Sequence, residues 1–325
     1  MTGTGQRATP PVAAAIWRPP MLATLTPQRF SSDAWLYERK LDGVRAMVTR
    51  DHGTPALWSR NHKSMDAGYP ELVDALAGFG PDRFVADGEI VAFEGRQTSF
   101  AKLQGRIHLT RATDIERAGV TVYLYLFDLL VLGDTDLTPF PLRDRKRLLR
   151  KAFNYIDPIR FSTHRNTDGE SFYRHACEHG WEGLIAKRAD SAYRSGRSPD
   201  WLKFKCVTGQ ELVIGGFTEP GGSRIGFGAL LLGYYDDGRL RYAGKVGTGY
   251  DHRTLTSLRA QLDDLEIGAP AFDERVAEPG ARWVRPELVA QVDFAEWTRD
   301  GRLRHPRFAG LRTDKAATEV VREAE

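Results

Sequence analysis

The sequence predicts an α+β protein in two domains, the first mixing strands with helices and the second a small β-barrel. Three observations lead there. The length of 325 residues suits two domains or one large one. Strand-like and helix-like stretches alternate as far as Cys206, and beyond it short strands, tight turns and one helix take over. Hydrophobic residues make up 41% and charged residues 27%, the balance of a globular, soluble chain.

Residues 1–15 read as a loose tail, with too short an apolar run for a secretory signal. Strands follow at Trp35–Tyr37, Val44–Arg50 and Ala56–Ser59. Tyr69–Leu76 has helical spacing, Phe84–Phe93 strand character, and Val122–Leu130 is the most apolar strand of the chain. A basic helix over Pro141–Tyr155 carries Arg143, Arg145, Lys146, Arg147, Arg150 and Lys151. It reads as a solvated face, with contact to a nucleic-acid backbone as the alternative. Ser171–His179 reads as a short helix, and Leu184–Lys187 and Trp201–Lys205 as strands.

After Cys206 the pattern changes. Glu211–Phe217 precedes a glycine-rich loop, Gly221–Ala229, and then LLLGYY and RLRYAGKV flank an Asp-Gly turn, a hairpin signal. A helix over Tyr250–Leu265 and strands at Trp283–Val284 and Val289–Trp297 complete a barrel of about 110 residues, OB-like in size. The boundary falls near Val207–Gln210, giving a first domain over 16–208 and a second over 209–325.

No apolar run is long enough to span a bilayer, so no membrane partner is expected. Two cysteines, Cys177 and Cys206, give no disulfide framework, which makes the cytoplasm the default. A net charge of +3 is compatible with a nucleic-acid partner without requiring one.

The chemistry centres on YERKLDGVRAMV, Tyr37–Val48, where Arg39, Lys40, Asp42 and Arg45 interrupt a strand-like run. Lysine is a poor nucleophile until neighbouring cations or desolvation lower its pKa. Asp42 either orients the turn or binds the ammonium, and Gly43 permits a turn that a Cβ would hinder. KLDG alone reads as a strand end with a salt bridge. Four further stretches break the rule that buried strands stay apolar: Glu89 in VADGEIVAF, Phe127 with Asp128 in YLFDLL, Glu182 in EGLIAKR, and Lys203 with Lys205 in WLKFK. Together they describe a polar cleft that binds an anion through lysines and a metal through carboxylates. Carboxylates without His or Cys favour Mg²⁺ or Mn²⁺ over Zn²⁺.

These stretches, in this order, resemble the motifs of the covalent nucleotidyltransferases, and of ATP-dependent DNA ligases among them. Lys40-Leu41-Asp42-Gly43 is similar to the KxDG signature. SRNHK with Arg60, DGE with Glu89, LFD with Phe127, EGLIAKR with Glu182, and RSPDWLKFK with Arg197, Lys203 and Lys205 follow. RHPRFAGLRTDK, with Arg312, Asp314 and Lys315, is similar to the family's last motif. RYAGKVGTG and WVRPELVAQV resemble the ligase domain of bacterial DNA ligase D.

The resemblance implies a fold, a reaction and a set of roles. The fold is a nucleotidyltransferase (ATP-grasp-like) domain of antiparallel sheets with helices, followed by an OB-fold barrel. Lys40 attacks the α-phosphate of ATP to form lysyl-AMP, AMP passes to the 5′-phosphate of a nick, and the 3′-OH seals the strand. Glu38 and Phe127 lie at the adenine, Leu41 adjoins the nucleotide, and Arg45 and Arg60 reach ribose or phosphate. Glu89 contacts ribose and metal, and Glu182 holds the metal. Lys203 and Lys205 neutralise the α-phosphate, and Arg197 places the nucleotide. Arg45, Lys203, Lys205 and a divalent cation are expected to favour neutral Lys40. Arg312, Asp314 and Lys315 are expected over the cleft in the first step, with Val207–Gln210 as hinge.

The implied partners are nicked duplex DNA, bacterial Ku and separate end-processing polymerase or nuclease proteins. The implied setting is a bacterial cytoplasm, at the nucleoid when acting, and the chain is expected to be a monomer serving non-homologous end joining. It reads as a stand-alone ligase or an excised domain. HACEH, His175–His179, matches a zinc-protease spacing but lacks an evident third ligand, so ordinary packing is expected. Neither the Gly221–Gly228 loop nor GKVGTG has P-loop order.

Overall fold

The structure, a computed structural model, describes residues 17–206, 209–222 and 224–323. The expected tail, 1–15, lies outside them. The chain divides into two compact units, the first ending at Cys206 and the second beginning at Val207. Of the expected boundary residues, Val207 and Thr208 lie outside the described residues, and Gly209 and Gln210 already belong to a strand.

The first unit opens with β1 (Met21–Leu25), β2 (Trp35–Arg39), β3 (Val44–Asp51), β4 (Thr54–Ser59) and α1 (Pro70–Ala77). It continues with β5 (Phe84–Glu94), β6 (Gln97–Thr98), α2 (Phe100–Ile107), α3 (Ala112–Ala118), β7 (Val122–Leu132), β8 (Thr135–Asp136) and α4 (Leu142–Ala152). It closes with β9 (Ile159–Phe161), β10 (His164–Asn166), α5 (Gly169–Glu178), β11 (Gly183–Arg188) and β12 (Gly196–Lys205). The strands form two sheets, ordered β1-β12-β11-β2-β10 and β4-β3-β5-β7-β8. Pairing is antiparallel except for β1 with β12 and β9 with β7.

Alternation along each strand separates the faces. Val44, Ala46 and Val48 of β3 and Ile90 of β5 join Leu72, Leu76, Phe100 and Leu103 of the helices in one core. The opposite face of that sheet gives Met47, Val85 and Phe127, which pack against Met21 and Trp201 of the other sheet. The two sheets therefore meet face to face. Tyr37, Leu184, Ala186 and Phe204 turn away and bury Phe172 and Ala176 of α5.

The second unit is an OB-fold barrel. It comprises β13 (Gly209–Thr218), β14 (Leu230–Asp236), β15 (Arg239–Val246), α6 (His252–Asp264), β16 (Glu266–Ile267) and β17 (Ala281–Val284). It ends with β18 (Val289–Asp293), β19 (Glu296–Trp297), β20 (Leu303–Arg304) and β21 (Arg307–Arg312). β13 is its spine: Gly209–Val213 pairs with β18, Val213–Phe217 with β14, and Gly216–Thr218 with β17. Leu255, Leu258 and Leu262, spaced on one face of α6, seal the barrel core.

Three expectations need correction. The two cysteines are paired: α5 packs against the end of β12, which brings the Cα atoms of Cys177 and Cys206 to 5.2 Å, within disulfide reach. The basic helix is not merely a solvated face, because Arg145 and Lys146 are fully buried. The Val289–Trp297 strand breaks after Asp293, and Glu296–Trp297 pairs with β20 instead. Among the described residues no helix is long and apolar enough to cross a membrane.

Candidate active site

Lys40 lies in the turn between β2 and β3, and its backbone N–H donates to the Gly183 carbonyl at 2.9 Å. Asp42 holds that turn: its carboxylate accepts from the Phe100 N–H at 2.9 Å, and its own N–H donates to Thr98 Oγ1 at 3.1 Å. Gly43 is required by close approach, since a Cβ there would collide with the Ile90 carbonyl oxygen.

Cross-strand register gathers the rest. Gly183 stands opposite Lys205, and Ile185 stands opposite both Glu38 and Lys203. Directly paired residues share a face. Lys203, Lys205 and Glu38 therefore stand on the face turned toward the second sheet, next to the lysine turn. Glu182 precedes this row, and its Oε1 forms an ion pair with Lys40 Nζ. Its other oxygen, Oε2, is buried without a hydrogen-bond partner.

That ion pair corrects the electrostatic expectation. Burial works against the Lys40 ammonium, but Glu182, helped by Asp42 and Glu89, outweighs it and raises the pKa above the ordinary lysine value. Lysine is held charged here, not neutral. The depressed lysine is Lys187, pushed down to about 8 by burial, with Lys146 adding to the effect and Glu38 opposing it.

On the second sheet Arg45 pairs in register with Glu89. Its guanidinium is clamped by Asp87, at 2.6 Å to each oxygen, and donates to the Met21 carbonyl at 3.0 Å. Tyr193 Oη donates to the same Asp87 at 2.6 Å. Phe127, 8% exposed, has the Lys187 ammonium 4.1 Å and the Arg45 guanidinium 4.8 Å from its ring centre. A base stacking there competes with one of these cations. Asp128 takes no part in the cleft, because both its oxygens accept from Arg145 at 2.8 Å.

Glu38 is buried and fully engaged. Lys146 donates to its Oε1 at 2.7 Å, and Lys187 and Ser162 Oγ to its Oε2 at 3.0 and 3.1 Å. Burial opposes the charged form, but the two lysines hold the Glu38 carboxyl below its usual range.

The remaining expected residues are placed as follows. Leu41 and Arg60 are half-buried in loops that follow β2 and β4. Arg197 is exposed on β12 and donates to the Ala23 carbonyl at 2.9 Å. In the barrel Arg312 forms two hydrogen bonds to Asp314, at 2.9 and 2.7 Å, and Lys315 pairs with Glu211 at 3.3 Å. His175 and His179 pack ring to ring at 3.9 Å, beside Trp181 and Phe172. Among the described residues no cluster of three or more His, Cys, Asp or Glu is arranged to hold a metal. Glu182 with its unpartnered oxygen, and Glu89 within electrostatic reach of Lys40, suit a Mg²⁺-type ion that keeps waters or phosphate oxygens for its other ligands.

Asp87, Tyr193, Lys146, Lys187 and His164 escape sequence reasoning. The signal for Asp87 was present, as a second acid in VADGEIVAF on the Glu89 face. Lys146 and Tyr193 had none, because their partners lie about a hundred residues away in the chain.

A lysine on a KxDG turn between two packed sheets, followed by an OB barrel, defines the nucleotidyltransferase architecture. The chain belongs to the ATP-dependent DNA ligases. The ATP dependent DNA ligase domain matches residues 20–205, and the ATP dependent DNA ligase C terminal region matches 223–315. It is 40% identical over 317 residues to the multifunctional non-homologous end joining protein LigD of Pseudomonas aeruginosa, covering 94% of this chain and 37% of that protein. To the LigD of Mycobacterium tuberculosis it is 38% identical over 313 residues, covering 94% and 40%. The chain thus spans about two fifths of the length of these curated relatives. The solved structure of mycobacterial DNA ligase D complexed with ATP and MES superposes with a TM-score of 0.67 at 36% identity, covering 94% of this chain and 98% of that one.

Proposed function

We propose that this chain is an ATP-dependent DNA ligase that seals 5′-phosphate/3′-OH nicks through a lysyl-AMP intermediate. The observation that carries the reading is the Lys40–Glu182 pair, set at the end of a sheet face that also bears Lys203 and Lys205. The Lys40 amine, once deprotonated, attacks the α-phosphorus of ATP. A P–N bond forms, and the bond to the pyrophosphate oxygen breaks. A 5′-phosphate oxygen of the nick then displaces Lys40, and the 3′-OH finally displaces AMP.

Phosphoryl transfer of this kind depends on positioning and charge stabilisation. Lys203 and Lys205 meet the α-phosphate, and Arg197 and Arg60 place the nucleotide. Arg45 lies at the ribose or phosphate, held by Asp87. Glu38, Leu41 and Phe127 line the base, and Arg312, Asp314 and Lys315 contribute to adenylation from the barrel. Glu89 and Glu182 would hold Mg²⁺ or Mn²⁺, which supplies positive charge at the phosphates.

The names of the relatives support a role in non-homologous end joining, and the setting we propose for it is a bacterial cytoplasm, at the nucleoid when acting. The partners of that role are bacterial Ku and separate end-processing polymerase or nuclease proteins, and the ligase acts as a monomer. The test is incubation with α-labelled ATP and Mg²⁺. Label that survives alkali and is lost in warm acid, as a P–N bond requires, is expected on wild type and none on Lys40→Ala, and equal labelling would remove Lys40 as nucleophile. Sealing of nicked DNA against nicked RNA, with ATP, GTP and NAD compared, tests the substrate.

A further inference from the structure

Phe272 fastens a loop to the second unit. Its ring is buried against Leu240, Tyr242 and Trp283, edge-on to Tyr242 at 5.2 Å and to Trp283 at 6.2 Å. The residues after it, 273–278, run as a strap along β15, which stands at the end of its sheet and pairs only with β14 among the described residues. The Asp273 N–H donates to the Leu240 carbonyl at 2.9 Å, and Glu274 Oε1 accepts from the Tyr242 N–H at 3.0 Å. The strap thus covers an edge that would otherwise present unpaired backbone groups.

Covering an edge requires backbone groups and apolar contact, and this strap brings charge as well. Asp273 Oδ2 pairs with Arg239 at 3.4 Å and with Arg241 at 3.0 Å. Glu274 pairs with Arg302 at 3.0 Å, and Glu278 with Lys245 at 2.7 Å. Three carboxylates on one short strap therefore meet four cations. Arg239, Arg241 and Lys245 follow one another along a single strand, a row of about 20 Å. One strand of a DNA duplex advances that far in about six nucleotides.

Each of these cations keeps at least 36% of its side chain exposed. Ion pairs so exposed add little to stability, and Phe272 already fixes the strap. What the carboxylates change is the field, because they cancel a row of positive charge. A guanidinium offers a phosphate the same fork of donors that it offers a carboxylate. Strap carboxylates and phosphodiester oxygens therefore compete for the same groups.

We infer that the strap 273–278 is a built-in competitor of DNA. Its carboxylates occupy Arg239, Arg241, Lys245 and Arg302, and the phosphates of a nicked duplex take these cations by lifting the strap while Phe272 stays anchored. The inference rests on the DNA-ligase reading given above.

The test measures Kd for nicked duplex DNA against salt concentration, with thermal unfolding recorded for each protein. Wild type is compared with Asp273→Asn/Glu274→Gln/Glu278→Gln, with Arg239→Ala/Arg241→Ala, and with the variant carrying all five changes. The amides keep the shape and the acceptor oxygens of the strap. Neutralising it is expected to tighten binding about tenfold near 0.15 M salt and to steepen the salt dependence by about two to four phosphate contacts. With both arginines removed, the same neutralisation is expected to gain about twofold or less. An equal gain without the arginines means a general charge effect, and no gain in a folded variant means a mere staple. Either overturns the inference. Hydrogen exchange of wild type gives a check that needs no substitution: peptides over 273–278 are expected to exchange faster once nicked duplex is bound, and unchanged or slower exchange overturns the inference too. The ligase reading survives each of these failures, since wild type still binds and seals the duplex. Wild type that does neither overturns both.

Discussion

Glu182 holds the Lys40 ammonium on one carboxylate oxygen and keeps the other oxygen buried without a partner. The same carboxylate would therefore be both the restraint on the proposed nucleophile and one half of the proposed cation site. A lysine whose pKa lies above its ordinary value is almost wholly protonated near neutral pH. A divalent ion engaged by Glu182 would weaken the attraction that keeps Lys40 charged. Modification of Lys40 by an amine-directed reagent, followed against pH, is expected to show its midpoint above the ordinary value without metal. Saturating Mg²⁺ should move that midpoint down by about one unit. Glu182→Gln should lower it without any metal, because burial then dominates. A midpoint indifferent to both changes would mean that Glu182 is not shared.

Glu38 presents the converse arrangement, one carboxylate between two buried ammonium groups. Removing it leaves Lys146 and Lys187 buried without their counter-charge. Glu38→Gln is expected to cost about 3–5 kcal/mol, measured by denaturant unfolding. The pH dependence has a definite sign. The folded-state pKa of Glu38 lies below its unfolded value. Between those two values the unfolded chain binds more protons, so the stabilisation is complete above about pH 4.3 and is lost as pH falls through the folded pKa. Wild type should lose stability on that acid limb, and Glu38→Gln should show a flatter one.

Asp87 clamps Arg45 and accepts from Tyr193, and it is fully buried. Asp87→Asn is expected to cost about 3–5 kcal/mol by leaving Arg45 without its partner. Tyr193→Phe removes two hydrogen bonds, the one donated to Asp87 and the one accepted from the Met21 N–H at 2.9 Å, and should cost about 1–3 kcal/mol. The two losses should fall short of additive in the double variant, because the groups share one carboxylate.

Much of this site was legible in the sequence, for a physical reason. Lys40, Glu89, Glu182, Lys203 and Lys205 each place a charge in an otherwise apolar strand or at its end, and period-two alternation shows which of them share a face. What stayed hidden depends on tertiary partners. Lys146 and Arg145 look like members of a solvated basic helix until Glu38 and Asp128 are seen facing them. The helix over Phe100–Ile107 was missed because it is short, although Ser99 caps its N-terminus by accepting from the Lys102 N–H. The Asp-Gly hairpin and the glycine-rich loop mark the barrel in the sequence, whereas its last strand, Arg307–Arg312, and the break after Asp293 carry no such signal.

Gly183 connects the lysine turn to the lysine strand. Its carbonyl accepts from the Lys40 N–H, it pairs with Lys205, and its φ of +147° lies where other residues are strained. An added Cβ would collide with the Phe204 carbonyl oxygen. Gly183→Ala is expected to destabilise the first unit by roughly 1–3 kcal/mol and to slow Lys40 adenylation, by displacing Lys40 from Lys205. Gly78→Ala meets no atom within 4 Å and has an ordinary negative φ. It should leave both measurements near wild type, which separates the site-specific effect from a general cost of losing glycine.

The Cys177–Cys206 bridge braces the same loop from the other side. The Cys206 N–H donates to the Glu182 carbonyl at 3.0 Å, so the bridge anchors to α5 the backbone that presents Glu182. The half-cystines are 29 residues apart in sequence. Closing a loop of that length in the unfolded chain stabilises the fold by about 3–4 kcal/mol on the chain-entropy account. Dithiothreitol is therefore expected to lower the midpoint of denaturant unfolding of the wild type. It should leave a Cys177→Ser/Cys206→Ser variant unchanged, at a midpoint close to that of the reduced wild type. Adenylation should respond in parallel, with reduced protein showing a higher Mg²⁺ requirement because Glu182 is less firmly placed. A wild type whose unfolding midpoint and Mg²⁺ dependence ignore the reductant, with thiol titration confirming that the bridge has opened, would show that packing of α5 on β12 alone holds the loop.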